Sequence, residues 1–185
     1  MKKVFTIPNI ISMFRIVLIP LFAYIYFLNF DNNYTYAFGI ILFSALSDVV
    51  DGFIARKFNM ISDVGKVLDP IADKLTQVAV VLCLCVNHRT LFPVLMVLIT
   101  KELLTLVAAA IWLRSGLQPI SARWWGKVST ALLYASFAYY IISDIFSFDV
   151  MIVNILVPII SIGFLLFSMC GYLKTYIQKP IDPSN

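Results

Sequence analysis

Four aspartates at helical spacing, Asp48, Asp51, Asp69 and Asp73, lie within a segment of 26 residues. Asp48 and Asp51 are three residues apart and the other two are four apart, so each pair lies on one face if its segment is helical. Four carboxylates that share a cavity repel one another unless a cation lies between them. Oxygen ligands suit Mg²⁺ or Mn²⁺, which commonly bind substrate phosphates as well. The spacing therefore predicts a divalent metal site formed by these four aspartates.

Three small residues and one cation accompany the aspartates: Gly52, Ala55, Gly65 and Arg56. The small residues let a ligand approach the backbone closely, and the planar guanidinium of Arg56 matches phosphate oxygens. We therefore expect the segment to bind a phosphate-bearing ligand together with the metal. The alternative is that the small residues only allow tight helix packing, and that Arg56 only anchors a helix end at the lipid headgroups.

The elements that hold these residues are predicted to be membrane helices. Of the 185 residues, 61% are hydrophobic and 13% are charged, whereas roughly a quarter of the residues in soluble domains are charged. Apolar stretches long enough to span a bilayer lie near residues 8–29, 34–56, 66–86, 91–114, 122–143 and 150–174. We predict an all-α membrane protein with six transmembrane helices in one bundle, forming a single domain over residues 1–185.

Basic residues lie mainly on one side of the predicted spans. That side, which holds both termini, has Lys2, Lys3, Arg56, Lys57, Arg114, Arg123, Lys174 and Lys179, against Arg89 on the other side. Because positively charged loops stay in the cytoplasm, we expect both termini and the aspartates to face the cytoplasm from the cell membrane. The net charge of +4 then reflects topology and attraction to anionic headgroups, and nucleic acid is not an expected partner.

The aspartate segment resembles a known sequence signature. The pattern Asp48-x2-Asp51-Gly52-x2-Ala55-Arg56-x8-Gly65-x3-Asp69-x3-Asp73 resembles the complete motif of the CDP-alcohol phosphatidyltransferase family. Pro8-Asn9-x2-Ser12-x2-Arg15 resembles the start of the first helix in that family. An arginine this far inside a span needs a phosphate or carboxylate partner, unless it only extends to the membrane surface.

The resemblance implies an enzyme that moves the phosphatidyl group of CDP-diacylglycerol to an alcohol and releases CMP. In such an enzyme Asp48, Asp51 and Asp69 hold the metal on the CDP pyrophosphate, and Asp73 is the general base. CDP-diacylglycerol would be bound by residues of both motifs: Asn9, Ser12, Arg15, Asp48, Asp51, Gly52, Ala55, Arg56, Gly65 and Asp69. The resemblance also implies a homodimer among membrane lipids.

A second polar cluster is the candidate acceptor site, and it consists of Lys101, Arg114, Ser121, Arg123 and Lys127. Its cations suit a phosphorylated acceptor. Gly126, Lys127 and Thr130 also resemble the branch of the family that uses glycerol 3-phosphate. We therefore predict that glycerol 3-phosphate is the acceptor and phosphatidylglycerol phosphate the product.

Two departures from that branch keep another acceptor open. Ser129 replaces the second lysine of the pattern, and Lys101 stands where an arginine is usual. The cardiolipin synthase branch, whose acceptor is phosphatidylglycerol, is therefore the alternative. Lys101 and Glu102 could also be a purely structural ion pair, and Trp124 with Trp125 an interfacial belt.

A membrane cation transporter is the alternative from another class, because such proteins also carry acids in their helices. Transporter sites usually lie near the middle of the bilayer, between repeated halves of the chain. Here the four aspartates lie near one predicted loop and no repeat is visible. The sequence therefore favours the enzyme.

Overall fold

The computed structural model describes residues 7–57, 65–114 and 124–178. This part of the chain folds into six α-helices and one short 3₁₀ helix. They are α1 (Ile7–Phe27), α2 (Asn33–Lys57), α3 (Gly65–Asn87), the 3₁₀ helix Arg89–Leu91, α4 (Phe92–Arg114), α5 (Trp124–Phe146) and α6 (Met151–Gln178). Each predicted span overlaps one helix, so the all-α class and the positions of the helices are confirmed.

Four stretches of the described helices are long and apolar enough to cross a membrane: Asn9–Phe27, Arg89–Ala108, Trp124–Phe146 and Met151–Thr175. These stretches lie in α1, in α4 with the preceding 3₁₀ helix, in α5 and in α6. The two remaining helices, α2 and α3, are those that carry the aspartates. Charged residues near the C-terminal end of α2 and the N-terminal end of α3 lower the mean hydropathy of these helices.

One compact unit comprises α1, α2 and α3 with residues Phe137–Phe148 at the end of α5. Helix α1 packs against both α2 and α3. Leu18 and Phe22 of α1 lie one helical turn apart and are buried, as are Ile41 of α2 and Val80 and Leu84 of α3. These side chains form the apolar part of the interface between the three helices, and this interface sets where the polar residues of α1 meet α2 and α3.

A polar network fastens the same unit at the end of α1 that is remote from the aspartates. Tyr26 is 2% exposed, and its hydroxyl donates a 2.8 Å hydrogen bond to Oδ2 of Asp144. The amide of Asn87 donates to the same hydroxyl at 2.9 Å. Asn32, at the turn before α2, has a φ of 66°, a left-handed conformation that asparagine tolerates better than most residues. This network links α1, α3 and α5 around one tyrosine.

The second compact unit comprises α4, α6 and α5 up to Ser136. Helix α4 packs against α6. Within this unit the hydroxyl groups of Ser136 and Ser161 lie 2.8 Å apart and are hydrogen-bonded, which links α5 to α6 through small polar residues as is common between membrane helices. The assignment of residues 1–185 to a single domain stays a prediction.

Candidate active site

Three polar residues on one face of α1 form the buried wall of the candidate site. Asn9, Ser12 and Arg15 follow one another at intervals of three residues, and each is only 2% exposed. The same face continues with the buried residues Leu18 and Phe22, so it packs into the helical unit along its whole length. Burial of a guanidinium requires charged partners nearby, because an uncompensated charge in an apolar interior is costly.

The partners of Arg15 are two of the predicted metal ligands. Nη1 of Arg15 pairs with Oδ1 of Asp48 on α2, and Nη2 pairs with Oδ1 of Asp69 on α3. The Ser12 hydroxyl also donates to Oδ1 of Asp69, at 3.5 Å. Three helices therefore meet at one guanidinium, and residues of both sequence motifs share one site.

The two carboxylates are open to ligands although the arginine is covered. The side chains of Asp48 and Asp69 are 43% and 48% exposed. The described ion pairs use Oδ1 of each aspartate. A cation that arrives from the open side therefore meets carboxylate oxygens, with Arg15 behind them.

An apolar cleft adjoins Arg15 on the side of the helical interior. Its lining includes Leu18, Phe22, Ile41, Val80 and Arg15 itself. Most of the residues that line this cleft are apolar. In such surroundings charges interact more strongly than they do in water.

Asp73 has a partner that sequence reasoning missed. The side-chain amide of Gln77, one helical turn further along α3, donates a 2.9 Å hydrogen bond to Oδ2 of Asp73. Gln77 is 3% exposed. The signal in the sequence was an amide side chain four residues after an aspartate inside an apolar run, since residues at that spacing are neighbours on a helix.

Part of the predicted site lies outside the described side chains. Asp51, Gly52, Ala55 and Arg56 belong to α2, but the structure describes only their backbone. Gly65 is the first residue of α3. Among the described residues, no group of three or more His, Cys, Asp and Glu side chains is placed to hold a metal ion, so the predicted four-aspartate site stays a prediction.

The donor set that is described fits a hard divalent cation. Asp48 and Asp69 bring carboxylate oxygens from two helices to one positive charge, and Mg²⁺ or Mn²⁺ is bound by ligands of this kind, usually one or two carboxylates with substrate phosphates. Their partial exposure leaves access for the cation and for a phosphorylated ligand. The residues present therefore fit the predicted metal.

The predicted acceptor residues are only partly described. Lys101 donates a 2.6 Å hydrogen bond to Oε1 of its neighbour Glu102, and both side chains are buried. Lys127 is exposed near the start of α5. The side chain of Arg114, and Ser121 and Arg123 altogether, lie outside the described residues. The pairing of Lys101 with Glu102 agrees with the structural alternative, and the acceptor role of the cluster stays a prediction.

The first residues of α5 have a clear packing role. A side chain at Gly126 would collide with Tyr172 of α6, and one at Gly171 would come within 2.8 Å of Nε1 of Trp125. Two glycines thus receive aromatic rings of the facing helix. Trp124, by contrast, is 62% exposed, as expected for a residue of an interfacial belt.

Comparison with known proteins places these residues in a family. Residues 5–167 match the family model described as CDP-alcohol phosphatidyltransferase. A CDP-diacylglycerol–glycerol-3-phosphate 3-phosphatidyltransferase of Aquifex aeolicus is 29% identical over 168 residues, which are 90% of this chain and 92% of that protein. A cardiolipin synthase (CMP-forming) of Streptomyces coelicolor is 33% identical over 147 residues, which are 77% of this chain and 67% of that protein.

A third relative is much longer than this chain. It is a cardiolipin synthase (CMP-forming) / mitochondrial hydrolase fusion protein of Schizosaccharomyces pombe, 35% identical over 113 residues, and the match covers 61% of this chain but 18% of the fusion protein. The three relatives do not support the transporter alternative. The family model covers both motifs from Asn9 to Asp73, and the resemblance noted in the sequence is confirmed: the chain belongs to the CDP-alcohol phosphatidyltransferase family.

Proposed function

We propose that this protein transfers the phosphatidyl group of CDP-diacylglycerol to glycerol 3-phosphate, forming phosphatidylglycerol phosphate and CMP. The observation that carries the proposal is the meeting of Asp48 and Asp69 at Arg15, which unites the two family motifs in one site. In this proposal the acidic oxygens of the site would lie within reach of a charged nucleotide headgroup at the membrane surface. The acyl chains of the donor would remain in the bilayer.

In this proposal the chain binds the donor through both motifs. Asp48, Asp51, Asp69 and Asp73 would hold Mg²⁺ or Mn²⁺ with their carboxylate oxygens. The bound cation supplies positive charge that neutralises the pyrophosphate oxygens and the developing charge of the leaving group. The first-helix residues and Arg56 add hydrogen-bond donors and positive charge for the same headgroup.

Asp73 is the proposed general base. The acceptor hydroxyl oxygen attacks the phosphorus that carries diacylglycerol, while its proton passes to the carboxylate of Asp73. The bond between this phosphorus and the CMP oxygen breaks, and the electron pair leaves with CMP. Gln77 donates a hydrogen bond to Oδ2 of Asp73, so it restrains the rotation of the carboxylate and directs Oδ1 away from the amide.

Glycerol 3-phosphate is the preferred acceptor because the Aquifex aeolicus relative is named for it, and the match covers 90% of this chain and 92% of that protein. Lys127, exposed near the start of α5, would bind the acceptor phosphate together with other members of the second cluster. Cardiolipin synthesis from phosphatidylglycerol is the second candidate. It is supported by the similarity to the Streptomyces coelicolor protein and by Ser129 in place of a second lysine.

The chain is a multi-pass membrane protein, as its apolar helices and its family indicate. We propose further that six helices span the membrane with both termini and the active site in the cytoplasm, because the basic residues are concentrated on that side. A soluble product such as CMP would then be released into the cytoplasm. A homodimer is part of the same proposal.

A lipid-product assay tests reaction and acceptor together. The purified protein receives CDP-diacylglycerol and, in parallel, glycerol 3-phosphate, phosphatidylglycerol, inositol phosphate or serine, with Mg²⁺, Mn²⁺ or EDTA. We expect metal-dependent release of CMP and formation of phosphatidylglycerol phosphate with glycerol 3-phosphate alone. Cardiolipin as the product would establish the second candidate, and absence of CMP with every acceptor would refute the enzyme proposal.

Substitution of Lys127 tests the acceptor site. Lys127→Ala should raise the KM for glycerol 3-phosphate by about tenfold, since a charge-assisted hydrogen bond to phosphate is lost, and should leave the KM for CDP-diacylglycerol nearly unchanged. Lys174→Ala removes another exposed lysine, near the end of α6, and is the matched control. Equal effects of Lys127→Ala on both substrates would contradict the acceptor role.

A further inference from the structure

Arg15 occupies an unusual position for a residue expected to bind substrate. Its side chain is 2% exposed, whereas those of Asp48 and Asp69 are 43% and 48% exposed. The guanidinium therefore lies behind the two carboxylates, between them and the helical interior. A phosphate that approaches from the open side meets the acids before it meets the arginine.

The charge of Arg15 reduces the repulsion between Asp48 and Asp69, as a bound metal ion would. Asp48 and Asp69 come from different helices to the same guanidinium. Without a cation between them, two carboxylates in one site repel each other. The guanidinium is permanently charged and carries donors in a planar fork, and it pairs with one carboxylate through Nη1 and the other through Nη2. One buried cation thus offsets part of the negative charge of the two acids.

The same charge must also oppose the binding of a divalent cation. A metal bound to the exposed side of these carboxylates would lie close to the guanidinium, in surroundings that are apolar on one side, and like charges repel strongly there. The pyrophosphate of the donor would bring compensating negative charge. Cation and donor would then bind more favourably together than the cation does alone.

We infer that Arg15 is an internal counter-cation, which holds Asp48 and Asp69 together before substrate binds and keeps the affinity of the site for a divalent cation low until the donor pyrophosphate is present. Arg15 is in this view a positioning residue, acting through the two aspartates. The inference rests on the proposed function, since it assumes that the aspartates bind the metal. It assigns to Arg15 a role that precedes any contact with the donor.

The test uses Mn²⁺ alone as the probe and needs no enzymatic activity. Mn²⁺ binding by electron paramagnetic resonance and the thermal unfolding midpoint, with Mn²⁺ or EDTA, are measured on the full chain in detergent. Arg15→Gln should bind Mn²⁺ about tenfold more tightly than the wild type, because one repelling charge has been removed. Its midpoint should fall in EDTA and recover largely with Mn²⁺.

Two further variants separate this role from ordinary packing. Arg15→Lys keeps the charge but loses the fork, so its Mn²⁺ affinity should stay near that of the wild type while its midpoint in EDTA falls. Lys101→Gln removes another buried cation from an ion pair, and its midpoint should fall equally with and without Mn²⁺. If Arg15→Gln can be purified only in the presence of Mn²⁺, that also supports the inference.

The outcomes distinguish the inference from the proposed function. If Asp69→Asn abolishes Mn²⁺ binding but Arg15→Gln leaves the affinity unchanged or weakened, the inference is wrong and the metal site stands. An equal fall of the Arg15→Gln midpoint with and without Mn²⁺ would likewise overturn it. If neither the wild type nor Arg15→Gln shows binding that depends on Asp69, both the metal site and the inference fail.

Discussion

At the scale of single residues, the candidate site depends on short contacts between side chains of three helices. Arg15 joins Asp48 to Asp69, and Gln77 restrains Asp73. The two contacts have different consequences, because the first compensates charge between helices and the second only orients a carboxylate within one helix. Substitutions of Asp73 and Gln77 can therefore separate the chemical step from binding.

Asp73→Asn should abolish transfer while it preserves binding of CDP-diacylglycerol. The amide has nearly the same shape as the carboxylate but cannot accept the proton of the acceptor hydroxyl. We expect kcat to fall by at least about a hundredfold, measured as CMP release, with donor binding unchanged in a filter assay. Asp149→Asn, in the turn before α6, is the control and should remain active. CMP release near the wild-type rate by Asp73→Asn would exclude Asp73 as the base.

Gln77→Met should lower kcat with little effect on the KM of either substrate. Methionine has a similar length and helix propensity but cannot hydrogen-bond Oδ2 of Asp73, so the carboxylate would lose its fixed orientation. Misorientation of a catalytic group commonly costs activity, and we expect a loss of about tenfold. Thr76→Val is the matched control, because Thr76 is buried beside Gln77 and donates its hydrogen bond to the carbonyl oxygen of Ala72, at 2.8 Å, and not to Asp73. If the two variants lose the same activity, the loss reflects packing of α3 and not the orientation of Asp73.

At the scale of elements, α5 and α6 contact each other where glycines leave space for aromatic side chains of the other helix. Gly126 faces Tyr172, and Gly171 faces Trp125. Gly126 also belongs to the segment that resembles the glycerol-phosphate branch, and the structure provides a packing reason for this glycine. The adjacent Lys127 is exposed, so packing does not account for it in the same way.

Gly171→Ala should destabilise the protein, whereas Gly163→Ala on the same helix should not. The new methyl group would lie 2.8 Å from Nε1 and 2.9 Å from Cε2 of Trp125, and nothing lies within 4 Å of a side chain at Gly163. Overpacking of this kind commonly costs about 1–3 kcal/mol. Thermal unfolding in detergent should show a clear decrease of the midpoint for Gly171→Ala relative to Gly163→Ala. Equal midpoints would mean that Trp125 moves aside without cost.

At the scale of the whole molecule, charge and hydropathy decide how the chain lies in the membrane. Four of the described helices are apolar enough to span it, while α2 and α3 combine apolar residues with the acids of the site. The acids of the proposed site contribute to the lower mean hydropathy of these two helices.

The proposed topology puts the C-terminus in the cytoplasm and the turn between α5 and α6 outside. Green fluorescent protein fused to the C-terminus of the full chain should fluoresce, since basic flanks keep a terminus in the cytoplasm. Alkaline phosphatase inserted after Ser147 should be active, because it would be exported. Alkaline phosphatase fused to the C-terminus is the control and should be inactive; activity there would refute the proposed orientation.

Much of the fold and of the reaction class could be predicted from the sequence. The six apolar stretches correspond to α1–α6, because a long apolar run in a membrane protein has few structures open to it other than a helix. The aspartate spacing identified the family, which the family model confirms over residues 5–167. These features depend on residues near one another in the chain, and local patterns record them.

The contacts of the site depended on the tertiary structure. The sequence indicated that Arg15 needed a phosphate or carboxylate partner unless it extends to the membrane surface. Only the packing of α1 against both α2 and α3 selected Asp48 and Asp69, which lie 33 and 54 residues further along the chain. Sequence reasoning did not identify Gln77 as a partner of Asp73; the hydrogen bond between them and the burial of Gln77 came from the structure. Spacing along a helix determines which side chains share a face, whereas the approach of separate helices, set by their apolar surfaces, determines which faces meet.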